Sequence, residues 1–227
     1  MLKPLATLTL LSLTTPVWAS DCGDSHTPVS SVQGAGTKTP LAGQRVSVEG
    51  VMTLDVRASG GFQGFYLQQM RPEQDDNPAT SEGLFIHTSA HAGEPGDRVR
   101  VEGRAGEYYG LTSLSEVNAV TVCGSPGLPE PAAFDPGSRT WNKAHHRESL
   151  EGMLVNIRAP LVVTDTWNLA RYGELVLAPS LQWVPTQQRP PGPQIPRATE
   201  QQDQVRLILD DGQRRQHPRP VPWPPGG

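Results

Sequence analysis

Apolar and polar residues alternate from 44 to 54 (Gln44-Arg45-Val46-Ser47-Val48-Glu49), and the phase slips at Gly50. Such alternation predicts a half-buried strand, and a glycine inside it predicts a bulge or sharp bend. Further strands are predicted at 64–69, 83–87, 97–107 and 119–123, separated by Gly, Pro, Asn and Asp turns. A long bent first strand followed by four others within about 85 residues outlines the five-stranded Greek-key barrel called the OB-fold. An SH3-like barrel or a small sandwich shares much of this pattern. Later, strands are predicted at 149–157, 161–166, 174–178 and 205–209, and the Pro/Gln/Arg stretch 185–204 reads as a loop. Val48-Glu49-Gly50-Val51 recurs as Leu150-Glu151-Gly152-Met153, which hints at a second copy of the first module.

The predicted organisation is a signal peptide at 1–19, a leader at 20–40 and an OB-fold module at 41–123. A linker follows at 124–146, then a second, incomplete OB-like β module at 147–212 and a proline-rich tail at 213–227. Lys3, the apolar run 5–13 and small Ala19 make the signal peptide, so the chain is expected to be exported to the periplasm or outside the cell. The run is too short to span a bilayer, and no membrane span is expected. The leader, rich in Ser, Thr, Gly and Pro, reads as a segment tied down by Cys22 rather than a packed element. After Asp210-Asp211-Gly212 a hairpin turn is expected, but the tail turns charged and then proline-rich, leaving the second sheet edge open. Pro222-Trp223-Pro224-Pro225 reads as a disordered terminus or a polyproline II ligand.

Twenty-three glycines and twenty-three prolines in 227 residues fit short strands joined by turns and disfavour a helical bundle. The expected class is all-β. Cys22 and Cys123 are the two cysteines, and in an oxidising compartment they are expected to pair. Residues 20–123 carry seven Lys/Arg against thirteen Asp/Glu, a net of −6, whereas residues 124–227 are at +1. An acidic first half disfavours electrostatic capture of a polyanion there.

Several stretches together resemble the front part of large secreted bacterial DNases, which place OB-fold modules ahead of an endonuclease/exonuclease/phosphatase catalytic domain. They are Ser30-Ser31-Val32-Gln33-Gly34, Leu41-Ala42-Gly43-Gln44, Gly64-Phe65-Tyr66-Leu67-Gln68, Asn77-Pro78-Ala79-Thr80-Ser81-Glu82-Gly83, and Gly96-Asp97-Arg98-Val99. Asn168-Leu169-Ala170-Arg171-Tyr172-Gly173 and Leu209-Asp210-Asp211-Gly212 continue in the same order. The resemblance implies a divalent-metal-dependent DNase whose OB-fold modules are auxiliary. The catalytic set it also implies, a metal-binding Glu, an Asp-x-Asn pair and a late Ser-Asp-His, is not present in order. Asp165-Thr166-Trp167-Asn168 has the wrong spacing, and Asp24-Ser25-His26 the wrong sequence. The expectation is a truncated or frameshifted relative, or one whose nuclease domain lies on a separate chain, inactive alone. Magnesium belongs with that catalytic domain.

The candidate site residues follow from chemistry. Tyr108, Tyr109, Trp167, Arg171 and Tyr172 offer rings and a cation for stacking single-stranded or extracellular DNA. Strand alternation should turn one of the two adjacent tyrosines inward. Asp75, Asp76, Asn77 and Glu82 offer clustered oxygens suited to calcium. His87, His91 and the pair His145-His146 lack a ligand spacing and read as surface residues. The expected function is a non-catalytic OB-fold region binding or positioning nucleic acid or the nuclease domain. The alternative is an extracellular structural or adhesion module that binds protein or glycan.

Overall fold

The computed structural model describes residues 21–138 and 144–223; the signal-peptide reading at 1–19 lies outside them. The elements in chain order are α1 (Val29–Gln33), β1 (Arg45–Asp55), β2 (Gly64–Gln68), β3 (Gly83–His87), β4 (Arg98–Tyr108), β5 (Leu111–Gly124) and β6 (Ala132–Phe134). Then come α2 (Ala144–Glu148), β7 (Val155–Ile157), β8 (Val162–Asp165), α3 (Leu169–Tyr172), β9 (Leu175–Ala178), α4 (Pro185–Gln188), α5 (Gln194–Asp203) and β10 (Leu207–Leu209). The protein is mostly β.

In the first half the strands join in the order β1-β2-β3-β5-β4, and β4 returns to β1, so the sheet closes on itself. All pairings are antiparallel except β3 with β5. Alternation sends Val48, Met52, Val99 and Val101 into a common core with Phe65, Leu67, Leu84, Ile86 and Leu114. The bulge in β1 falls between Met52 and Leu54, not at Gly50. Gly50 serves close approach instead: a Cβ there would sit 2.7 Å from Leu67 Cδ1 and 3.0 Å from the Gln68 carbonyl oxygen. β5 begins eight residues before the predicted strand. Glu116, at φ 47°, breaks the alternation that would have revealed its first half.

The leader corrects the sequence expectation, because it packs. Val29 and Val32 of α1 are fully buried in the same core. The Gln69 side-chain oxygen accepts the Val29 N–H at 2.7 Å, and the Gln33 amide donates to the Gly83 carbonyl at 2.6 Å. Upstream, the Cys22–Cys123 disulfide forms as expected, with Cα atoms 5.5 Å apart. It holds residues 22–25 over the outer faces of β1 and β4. There Glu49, fully buried, accepts from Arg100 at 2.7 Å, from Arg98 at 2.9 Å and from the Gly23 N–H at 2.8 Å. Arg100 donates onward to the carbonyls of Asp24 and Ser25. A charge trio facing away from the hydrophobic core is thus sealed by the leader backbone.

The second half departs further from expectation. The predicted strand 149–157 exists only as β7. Gly152 turns the chain at φ 68°, pressed so closely on β3 that a Cβ on Gly83 would lie 2.3 Å from the Gly152 carbonyl carbon. The echo of the Val48-Glu49-Gly50 phrase is therefore not a structural repeat. β7 pairs in parallel with β6, which lies inside the predicted linker. β8, β9 and β10 form an antiparallel sheet in the order β10-β9-β8. The stretch 185–204, expected to be a loop, carries α4 and α5. Its prolines are compatible with helix because Pro185, Pro193 and Pro196 stand at helix starts, where backbone N–H groups have no intrahelical partner.

The proline-rich tail packs back on the fold as far as it is described. Gln213 bridges Gly61, the Arg214 N–H donates to the Gly60 carbonyl at 2.6 Å, and the Trp223 indole donates to the Gly173 carbonyl at 3.1 Å. Among the described residues no helix is long and apolar enough to cross a membrane.

Candidate functional site

Sequence reasoning named two aromatic sets, and among the described residues no ring contact joins them. Tyr108 and Tyr109 are both exposed, the latter at 95%. Alternation fails here because Tyr109 and Gly110 form the two-residue β4–β5 turn, at φ 52° and 83°, the positive pair that a type I′ hairpin requires. Their rings end an aromatic row that sequence reading missed. Tyr66 and Phe85, paired across β2 and β3, lie 4.9 Å apart; Phe85 and His87 follow at 6.5 Å, His87 and Tyr108 at 5.8 Å, and Tyr108 and Tyr109 at 4.8 Å. The missed signal was cross-strand register, which brings residues 66, 85 and 87 onto one face. Carboxylates crowd this row. Burial, reinforced by Glu148 and Glu107, raises the Glu151 carboxyl, and burial followed by Glu151 and Asp210 raises the Tyr66 phenol. Phosphate is disfavoured beside such a group of acids.

The second set sits on α3 and the turn before it. Trp167 is 88% exposed, and its backbone N–H donates to Asp165. The Arg171 guanidinium lies 4.9 Å over the Tyr172 ring and also donates to Gln216. One face of Tyr172 is thereby occupied by its neighbour, so Trp167 is the open ring. The tail reaches this set through the His217 N–H, which donates to the Arg171 carbonyl at 2.7 Å.

No family profile, curated protein or solved structure matches this chain.

The acidic loop named for calcium is held by hydrogen bonds of its own. The Asp75 carboxylate accepts from the Asn77 N–H at 3.0 Å and the Thr80 hydroxyl at 2.9 Å, and Asn77 accepts from the Ala79 N–H. Asp76 is exposed. Among the described residues no group of three or more His, Cys, Asp or Glu side chains converges to hold a metal ion. Glu82 is buried; one carboxyl oxygen accepts the Asp75 N–H at 2.9 Å, and the other has no hydrogen-bond partner. Burial pushes its pKa up to about 7. The Asp75 N–H opposes that shift, and the Asp75 carboxylate adds to it.

A carboxyl raised from 4.5 to about 7 on folding favours the folded state below pH 4.5, and that contribution is lost as pH rises toward 7. Each pKa unit corresponds to about 1.4 kcal/mol. Glu82→Gln removes the titration. Relative to wild type, the variant should gain about 2 to 4 kcal/mol between pH 5 and pH 8, read from urea melts at both values. A difference that stays flat with pH refutes the assignment.

Proposed function

We propose that this chain is a non-catalytic region of an exported DNase-like protein. In this reading its first half is an OB-fold, and its second half positions a nuclease-type domain of this polypeptide or another. The strand order β1-β2-β3-β5-β4 and the long, bulged β1 support the OB-fold reading. One observation carries the docking role. Between residues 151 and 223 only Gly173 and Ala178 are buried, although the β8–β10 sheet is apolar on both faces. Register places Leu207, Leu177 and Val163 on one face, and Ile208 with Val176 on the other. Ile208 is 65% exposed, Val163 45%, and Leu181, Trp183 and Val184 are exposed nearby. Apolar surface gathered in this way marks an interaction site, and a sheet apolar on both faces needs both covered. The occupant implied by the family resemblance is the nuclease domain.

The test mixes the mature chain with a purified endonuclease/exonuclease/phosphatase domain from a secreted DNase of the kind it resembles. Sedimentation should show a one-to-one complex, amide exchange in β8–β10 should slow, and Val163→Lys with Ile208→Lys should abolish the complex. Unchanged exchange, or association of the chain only with itself, overturns the proposal.

A second reading, single-strand binding at Trp167, Arg171 and Tyr172, is favoured by the return of the basic tail to α3. Asp165, Glu174, Asp210 and Asp211 stand in the same segments, so such binding rests on stacking more than on net charge. Stacking contributes about 1 to 3 kcal/mol per base. Trp167→Ala should weaken oligonucleotide binding about fivefold or more, and Arg171→Ala should also flatten the salt slope by about 0.7. Undetectable binding by the wild type at low salt ends this reading.

A further inference from the structure

A cavity of about 400 Å³ opens where the end of β2 meets the segment leading into β6 and the segments on either side of β7. Two guanidiniums border it, Arg71 from the loop after β2 and Arg158 just beyond β7, and both residues are exposed. Neither takes part in an ion pair among the described residues, unlike Arg98, which bridges Glu49 and Glu73. The third polar feature is Gln68, fully buried at the end of β2 and also part of the cavity wall. Its side-chain oxygen accepts the Leu154 N–H at 2.8 Å, and that bond fixes the amide orientation because an NH2 group cannot accept it. The Gln68 NH2 is left buried without a hydrogen-bond partner. An unpaired buried donor is costly unless something completes it.

Two cations and an orphaned neutral donor border one cavity, and among the described residues none of the three is paired with an acceptor. Glu130 also borders the cavity and offsets one of the two positive charges. Met70 and Met153 supply apolar surface beside them. Guanidinium groups match the geometry of phosphate oxygens, and a thioether wall adapts to a flat or irregular apolar body. We propose that this cavity is a binding site for a small phosphate monoester with an apolar or planar body, held by Arg71 and Arg158. The site lies apart from the β8–β10 sheet and from α3, and it stands or falls independently of the function proposed above.

The experiment uses the full mature chain with three probes: inorganic phosphate, thymidine 5′-monophosphate and thymidine, each titrated by calorimetry at low salt. The monophosphate should bind more tightly than inorganic phosphate, and thymidine should not bind. Arg71→Gln and Arg158→Gln should each weaken the monophosphate by about tenfold or more, the ratio that one charge-assisted hydrogen bond supplies. Glu130→Gln should tighten it severalfold. Arg197→Gln, an exposed change outside the cavity, should leave affinity unchanged. All four positions are exposed, and unchanged thermal melts will show that each variant folds. Absence of binding by the monophosphate, equal binding of thymidine, or affinity indifferent to both arginine variants overturns the proposal. Inorganic phosphate binding as tightly as the ester overturns the role given to the apolar walls and to an organic ligand.

Discussion

Glu49→Gln is expected to lower folding stability by about 3 to 5 kcal/mol, the cost of leaving buried charge uncompensated. Glu49 stands directly across from Arg100 in the β1–β4 ladder, and both are at most 3% exposed. Removing the carboxylate charge leaves the buried Arg100 guanidinium, which donates to the Asp24 and Ser25 carbonyls, without its counter-charge, while Arg98 keeps Glu73. Burial raises the Glu49 carboxyl, but the hydrogen bonds from Arg100, the Gly23 N–H and Arg98 outweigh it and hold the pKa below the ordinary value. A folded pKa below the unfolded one gives stability that is fully present above about pH 4.5 and lost as pH falls through the lowered value. Urea melts should therefore show the wild-type advantage over Glu49→Gln shrinking on acidification. A loss under 1 kcal/mol at pH 7 would mean that water reaches the trio. Replacing Glu49 and Arg100 together by leucine and methionine should recover most of the loss, because buried ion pairs exchange for apolar groups at little cost.

Replacing Cys22 and Cys123 by serine is expected to cost about 4 to 5 kcal/mol in the chain-entropy account, since the bridge closes a loop of about 100 residues. The sequence separation is 101. The bridge should also be coupled to Glu49. It holds the Gly23 N–H and the Asp24 and Ser25 carbonyls against the charge trio, so freeing the leader opens that trio to water. In a double-mutant cycle the combined loss should fall short of the sum by about 1 to 2 kcal/mol, as for residues sharing one network. Strict additivity would show that the leader stays in place without its covalent tie. Together the two results would make the outer face of β1 and β4 the acid-sensitive and reductant-sensitive part of the molecule.

By itself the sequence determined what depends on local pattern. Period-two alternation and turn residues located β1 to β4, and the cysteine pair named its own bridge. The acidic balance of the first half was also plain, but of the carboxylates around the Tyr66 to Tyr109 row only Glu107 belongs to it; Glu148, Glu151 and Asp210 come from the second half. Tertiary structure decided whatever depends on residues distant in the chain. Val29 and Val32 form too short an apolar pair to announce a packed helix, and they become core only because β3 and Gln69 stand beside them. Glu49 reads as an ordinary outward strand position until residues 22–25 cover it. Prolines that argued against regular structure in 185–204 instead sit at helix starts, where a missing N–H costs nothing. The partnerless amide of Gln68 and Arg71 come from one stretch at the end of β2, and Arg158 from beyond β7 ninety residues on, so no motif announces them. Their meeting depends on how the β7 segment docks against β2, and a one-dimensional pattern carries no information about such docking.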